Sequence, residues 1–277
     1  MKRILLLITL GFPVALNAQQ IKLNKGQKIT VSSTISQEMD MGMGQMKNNT
    51  ASTAVLEVKD ADNKNYNAVY KLAKFSMSFD AMGQQQSYDS EKNEDKDSEM
   101  GKSLGNNIGK EIKLTIDKNS GKAVKEETAM PEKKEADADN PLVGMMDMLG
   151  AKDTETAIAE SVFFLLPSGK KAGDSWTDST NTAENMKGIK RYTVKSITEN
   201  IATISIFSEV KGQQNIELQG MQVDINIFAK SEGEILVDTR NSLLKKSSKV
   251  ADITGTMDLM GQSMPLTSKV IETTEYN

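Results

Sequence analysis

The sequence predicts a mainly β protein: long antiparallel strands in curved sheets of half-barrel or sandwich-like form, two related β-rich halves, and a pair of central amphipathic helices. Three observations carry that prediction. Apolar and polar residues alternate over long spans, which marks strands with one buried face. Gly-containing turns separate the spans, three of them reading Met-Gly-Gln, at residues 43–45, 82–84 and 260–262. Between residues 141 and 167 the apolar period changes from two to about 3.6, which is helical.

The chain opens with Met1, Lys2 and Arg3, then an apolar run over residues 4–16 broken by Gly11 and Pro13, then Asn17, Ala18 and Gln19. That run is shorter than the roughly 20 apolar residues that span a bilayer, so it reads as a signal peptide. The expected cut follows Ala18, leaving residues 1–18 as the leader. No other stretch approaches membrane-helix length, so the expected product is exported, periplasmic or extracellular, and soluble, without a transmembrane segment.

The 277 residues include no cysteine and no histidine. Without cysteine there are no disulfides, no thiol catalysis and no lipoprotein attachment. Without histidine, Ser-His-Asp and Cys-His catalysis and the usual zinc sites are excluded. The formal net charge of -4 and the lack of basic clusters exclude a nucleic-acid footprint.

In the first half, residues 19–127, the first strand spans 28–43, with Ile29, Val31, Ile35, Met39, Met41 and Met43 sharing one parity. The turn at Gly44 and Gln45 leads to a return strand carrying Ala54, Leu56 and Val58. A turn over 60–65 follows, and the third strand reads Ala68, Tyr70, Leu72, then Phe75, Met77, Phe79 and Ala81. Its apolar parity switches midway, which requires one extra residue and predicts a β-bulge at Ala73 or Lys74. Polar residues 87–103 predict a loop leading into a weak helix over 100–108, then a strand through Ile112, Leu114 and Ile116 with a short return at 123–125.

Residues 126–140 mix Lys, Glu and Asp around Pro131 and place a charged linker at 128–140, too polar to bury a core. A helical pair at 141–167 follows. Leu142, Met145, Met146 and Leu149 form one apolar face; Ile158, Val162, Phe163 and Leu166 form another, started at Asp153 or Thr154 and stopped by Pro167. The second half, 168–277, turns at Glu199 and Asn200, alternates through Met221, Val223, Ile225 and Ile227, pairs 234–238 with 242–246, and ends in a hairpin carrying Met257 and Met264.

Candidate chemistry is sparse. Met39, Met41, Met43 and Met46, with Met82, Met257, Met260 and Met264, offer soft thioether ligands suited to Cu(I). Methionine more often fills irregular apolar surface, and this reading is preferred. If the sheet curves, the shared parity of Met39, Met41, Phe75, Met77, Phe79, Met221, Ile225 and Met257 lines a concave apolar face, with Met43 at its rim. Such a face suits a lipid or hydrophobic peptide, or is filled as ordinary core. Asp60, Asp62 and Asn63 begin like a calcium loop, but Lys64 and Lys71 stand where ligands belong, so a hairpin turn is expected. Asp137 and Asp139 read as solvated. Ser168 and Lys171 match a serine-lysine spacing, yet Pro167 and Gly169 take them off a helix start. The sequon at Asn48, Asn49 and Thr50 matters only in a eukaryotic secretory route.

The stretch from Leu166 to Trp176, a proline followed by Ala172, Gly173, Asp174, Ser175 and Trp176, resembles the "P, then V-G-D-x-W" signature of a family of uncharacterised exported bacterial proteins. Ala172 replaces the commoner valine. The leader, the Gly-rich hairpins and the strand Ile235, Leu236, Val237, Asp238 are similar to that family too. The resemblance implies no activity and no catalytic residues. In purely structural terms, Gly173 and Asp174 make a turn and Trp176 anchors the next strand. The architecture is also similar to the half-barrels of periplasmic lipoprotein carriers, by fold analogy alone.

The expectation is a non-catalytic exported protein, without cofactor, that binds a lipid, a hydrophobic peptide or an envelope protein. A structural or protein-interaction role, a carboxylate-only hydrolase and a methionine copper site are the competing readings.

Overall fold

A computed structural model describes residues 20–42, 44–81, 83–124, 154–183, 186–218, 221–259 and 262–277. The leader, Met43, Met82, the linker, the first expected helix and the Met260-Gly261 tip lie outside the described residues.

Alternation becomes strand over most of the spans where it was expected. β1 (Lys28–Asp40), β2 (Gln45–Ala61), β3 (Asn65–Ala81) and β4 (Gln84–Asp89) run up and down. After helix α1 (Glu99–Leu104) and a 3-10 turn (Gly105–Asn107) comes β5 (Glu111–Asp117). Helix α2 (Thr154–Val162) leads to β6 (Ser175–Ala183), β7 (Met186–Thr198), β8 (Ile201–Leu218), β9 (Met221–Asp238), β10 (Leu243–Leu259) and β11 (Gln262–Tyr276). All belong to one 11-stranded sheet, ordered β4-β3-β2-β1-β11-β10-β9-β8-β7-β6, with β5 paired to β3. It is antiparallel, curved and unclosed: each hairpin folds back on its neighbour, and the β1–β11 pairing joins the two sets of hairpins.

The parity switch in β3 has its expected cause. Thr53 faces Lys74 while Ala54 faces Leu72, so Ala73 is the extra residue of a bulge. Similar shifts leave out Lys59 in β2, Lys195 in β7 and Lys245 in β10. Bulges increase local twist and bend the sheet. Two glycines add to the curl: a Cβ at Gly233 would strike the Ser248 carbonyl oxygen, and one at Gly255 the Asn226 carbonyl oxygen.

The face bearing Ile29, Val31 and Met39 is the inner one. At one end of it, the base, α2 lays Ile158, Ala159 and Val162 over the sheet, and Ile21, Leu23, Phe163 and Leu166 complete a large buried cluster. The opposite end carries the hairpin tips, where Gln45, Gln84 and Gln262 each open a returning strand.

Five expectations need correction. Residues 87–89 belong to strand β4 rather than to a loop. The first strand stops at Asp40, because Gly42 takes a φ of 73° and Met41 N–H donates to the Gly44 carbonyl. α2 ends at Val162 rather than Leu166, since Phe163 bridges Leu243 and Phe164 N–H donates to Ser242 O, diverting the backbone into an extended path. The described part of the 123–125 return is a single bridge, Ile116 to Ala123. The short pair 234–238/242–246 is only the base of a hairpin that runs to Met221 and Leu259.

Candidate functional site

Register decides which side chains share a face, because residues directly opposite each other across antiparallel strands point the same way. Met39 faces Met46; Thr50 faces both Ile35 and Met77. Met77 also faces Tyr88, and Asn48 faces Phe79. Across the seam, Met39 faces Ser268, and Met257 faces both Met264 and Ile225. Met39, Phe75, Met77, Phe79, Ile225 and Met257 therefore lie on the inner face of one sheet. Met41 continues that face beyond β1. Met221 opens β9 opposite Leu218.

Burial divides this face. Met39, Met77, Ile225 and Met257 are buried. Phe75, Phe79 and Met41 are half-buried. At the tip end Met39, Val223, Ile225, Met257 and Leu266 form a second core cluster, distinct from the base, with Met41, Met46, Ile227 and Met264 packed around it. On the β3–β4 side Phe75 and Tyr88 meet at 6.4 Å between ring centroids. Between the two clusters the face narrows to small and polar side chains: Thr274 Oγ1 donates to Ser33 Oγ at 3.0 Å, and Gln37 Nε2 to Ser268 Oγ at 3.2 Å. Val223, Leu266 and Tyr88 were not among the expected lining residues. The alternation of β9 and β11 placed the first two on that face, and Tyr88 sat in a stretch too polar to read as strand.

The Gly173–Trp176 stretch sits at the base. Gly173 takes a φ of 94°, which frees its N–H to donate to Val194 O at 2.8 Å. Asp174 Oδ2 accepts from Lys171 N–H at 2.8 Å. Trp176 then stacks on Tyr192, 5.0 Å away at 16°, and Phe164 packs against both rings. Burial raises the Tyr192 hydroxyl to about 12, helped by the Asp178 and Glu160 charges.

The carboxylates held below their usual range are each engaged by a neighbouring group, Glu57 within β2 first by Lys59. Asp60 is lowered first by Lys25, Asp62 by the backbone N–H groups of Lys64 and Asn65, and Asp117 by Ser120. Asp238 is held by Arg240. Asp62, Asp117 and Asp238 each tie down a turn, whereas Asp60 ties the end of β2 to Lys25. Among the described residues no group of three or more acidic side chains is placed to hold a metal, and no helix is long and apolar enough to cross a membrane.

Fold and site together define an open antiparallel β-sheet protein with a partly filled apolar inner face. The chain belongs to the family of unknown function DUF6263, whose model matches residues 63–244. Comparison with curated proteins returned no match. Among solved structures the sheet is similar to one described as lipid-protein interactions in lipovitellin, with 9% identity and a TM-score of 0.49. That likeness covers 92% of this chain, which spans 25% of the other.

Proposed function

We propose that this chain is an exported, non-catalytic protein of the bacterial envelope that holds a lipid acyl chain or similar apolar guest at the methionine-rich end of its inner face. The register carries the reading: Met39, Phe75, Met77, Phe79, Ile225 and Met257 converge on one face from strands far apart in sequence. Around the buried pair Met39 and Met257, the half-buried Met41, Met46 and Met264 form a margin. Unbranched thioether side chains repack at low cost and suit guests of varied shape. The basic start and short apolar run of residues 1–18 support export. Non-catalysis is supported by the occupation of the lowered carboxylates, each of which is engaged by a lysine, an arginine, a hydroxyl or backbone N–H groups in holding the fold.

Native mass spectrometry of the protein isolated without detergent from its own envelope tests this reading. The expected spectrum carries an adduct of lipid mass that is lost in Phe79→Asp or Phe75→Asp while circular dichroism stays unchanged. A bare mass from wild-type protein overturns it.

A second reading is supported by the thioether pairs alone. Met39 faces Met46, and Met257 faces Met264, within one cluster, an arrangement of soft donors suited to Cu(I). Competitive Ag(I) titration would give one tight site that is lost in Met39→Leu/Met257→Leu. No binding tighter than that of free methionine ends the metal reading.

A further inference from the structure

The outer face of β7 to β10 holds two pairs of like charges. Lys187 lies directly opposite Lys211, and four residues along the neighbouring strands Asp224 lies directly opposite Asp258. Like charges placed directly opposite each other destabilise a sheet. Neither pair has an ion-pair partner among the described residues, although β9 nearby pairs Lys230 with Glu232. The lysines cannot reach the aspartates, because the row Gln213, Asn226 and Thr256 intervenes and four residues of strand span about 13 Å.

Phe228 lies beside Lys211 and is 45% exposed. It walls an open cleft of about 710 Å³ lined also by Lys187, Lys211, Gln213, Asn226 and Thr254. Ile189, Val250 and Ile271, all exposed, occupy the same face. The patch thus joins an exposed aromatic ring beside a shallow cleft to two charge pairs of opposite sign.

We propose that this face is a self-association surface and that its occupant is a second copy of the chain. In a two-fold interface one patch meets itself, so a residue at one position contacts the residue related to it across the axis. With the axis crossing the Gln213–Asn226 row, the lysine pair of each copy meets the aspartate pair of the other. Each Phe228 then falls beside the axis, against the cleft of its partner. Both repulsions present in the isolated chain become attractions in the dimer, and charge complementarity fixes the orientation.

Sedimentation velocity on the full chain, with circular dichroism as the folding control, tests this. Wild-type protein is expected to dimerise in about 50 mM salt and to dissociate progressively toward about 500 mM. Lys187→Glu/Lys211→Glu and Asp224→Lys/Asp258→Lys are each expected to be folded monomers, because each presents one sign of charge at both positions. An equimolar mixture of the two variants regains a dimer containing one copy of each. The milder Lys211→Gln weakens wild-type dimerisation about 10-fold. A wild-type monomer at about 100 µM overturns the proposal, as does a mixture that stays monomeric. If the wild type is monomeric, binding of inorganic phosphate that is lost in Lys211→Gln assigns the lysines to an anion instead.

Discussion

Val31, on the first strand, lies directly opposite Tyr276, on the last. Beside them Thr30 and Asn277 exchange both backbone hydrogen bonds, at 2.7 and 2.9 Å. This seam makes one sheet of two sets of hairpins that are otherwise remote in sequence. Tyr276 is also buried against the base cluster. The seam and the core therefore depend on the same residue, and Tyr276→Ala should cost about 3–5 kcal/mol, read as a lowered midpoint in urea.

The buried tyrosines set an alkaline limit to stability. Burial raises the hydroxyl of Tyr192 to about 12 and also raises those of Tyr276 and Tyr70, against about 10 in the unfolded chain. The folded state therefore binds the phenolic protons more tightly. Their contribution is complete below pH about 10 and is lost as pH rises through the folded values. Thermal melts between pH about 9 and 12 should show a steep decline that is shallower in Tyr192→Phe. An unchanged slope in that variant removes Tyr192 from the account.

Much of this fold is legible in the sequence because alternation is a local signal. The switch from Leu72 to Phe75 announces the bulge at Ala73, and the inner-face parity of Met39, Met77, Ile225 and Met257 can be read directly. The depth of each residue cannot, since Met39 is buried by strands whose pairing lies more than two hundred residues away in sequence and depends on the curvature of the whole sheet. The middle of β9 hides for a different reason. Ala229, Ser231 and Gly233 are small or polar on the inner face, so alternation fades although the strand continues. The Lys187–Lys211 and Asp224–Asp258 pairs are products of register alone.

Deleting Ala73 tests how tightly register is held. The residue is exposed and makes no contribution to the core, so Ala73→Gly should change stability by less than about 1 kcal/mol. Its deletion removes the extra residue and leaves Leu72 and Lys74 as adjacent residues of opposite facing, so regular alternation replaces the bulge and every later side chain keeps its face. Deletion of Ser76, which is paired with Ala51, instead turns Met77 and Phe79 outward, and that variant should lose at least about 3 kcal/mol or fail to fold. A loss of that size on deletion of Ala73 itself would contradict the bulge.

Gly121 and Gly173 both adopt positive φ, 70° and 94°, yet their surroundings differ. A Cβ at Gly121 would lie 2.9 Å from both Ile21 Cδ1 and Leu165 Cδ1, whereas none of its neighbours would come within 4 Å of one at Gly173. Gly173→Ala should therefore cost only the backbone strain, about 1–2 kcal/mol. Gly121→Ala adds overpacking of about 1–3 kcal/mol. Equal losses for the two, measured by chemical denaturation, would mean that the base cluster yields freely around Gly121.

Asp238 closes the turn between β9 and β10. Its side chain is 2% exposed and accepts from Arg240 N–H and Nε at 3.0 Å and from Nη2 at 2.7 Å. Arg240 first, and its backbone N–H next, hold the carboxyl below the usual carboxylate range, outweighing burial. The folded state thus binds this proton more weakly than the unfolded chain. The stabilisation is complete above pH about 4 and disappears as pH falls through the folded value. Asp238→Asn keeps the shape but loses the charge-assisted bonds, and should cost about 1.5–3 kcal/mol at neutral pH. That loss should shrink on acidification, because the wild type surrenders the same interaction when it is protonated. Urea midpoints for both proteins from pH about 7 to about 3 would show the two curves converging. A constant gap would mean that the asparagine is penalised for packing rather than for charge.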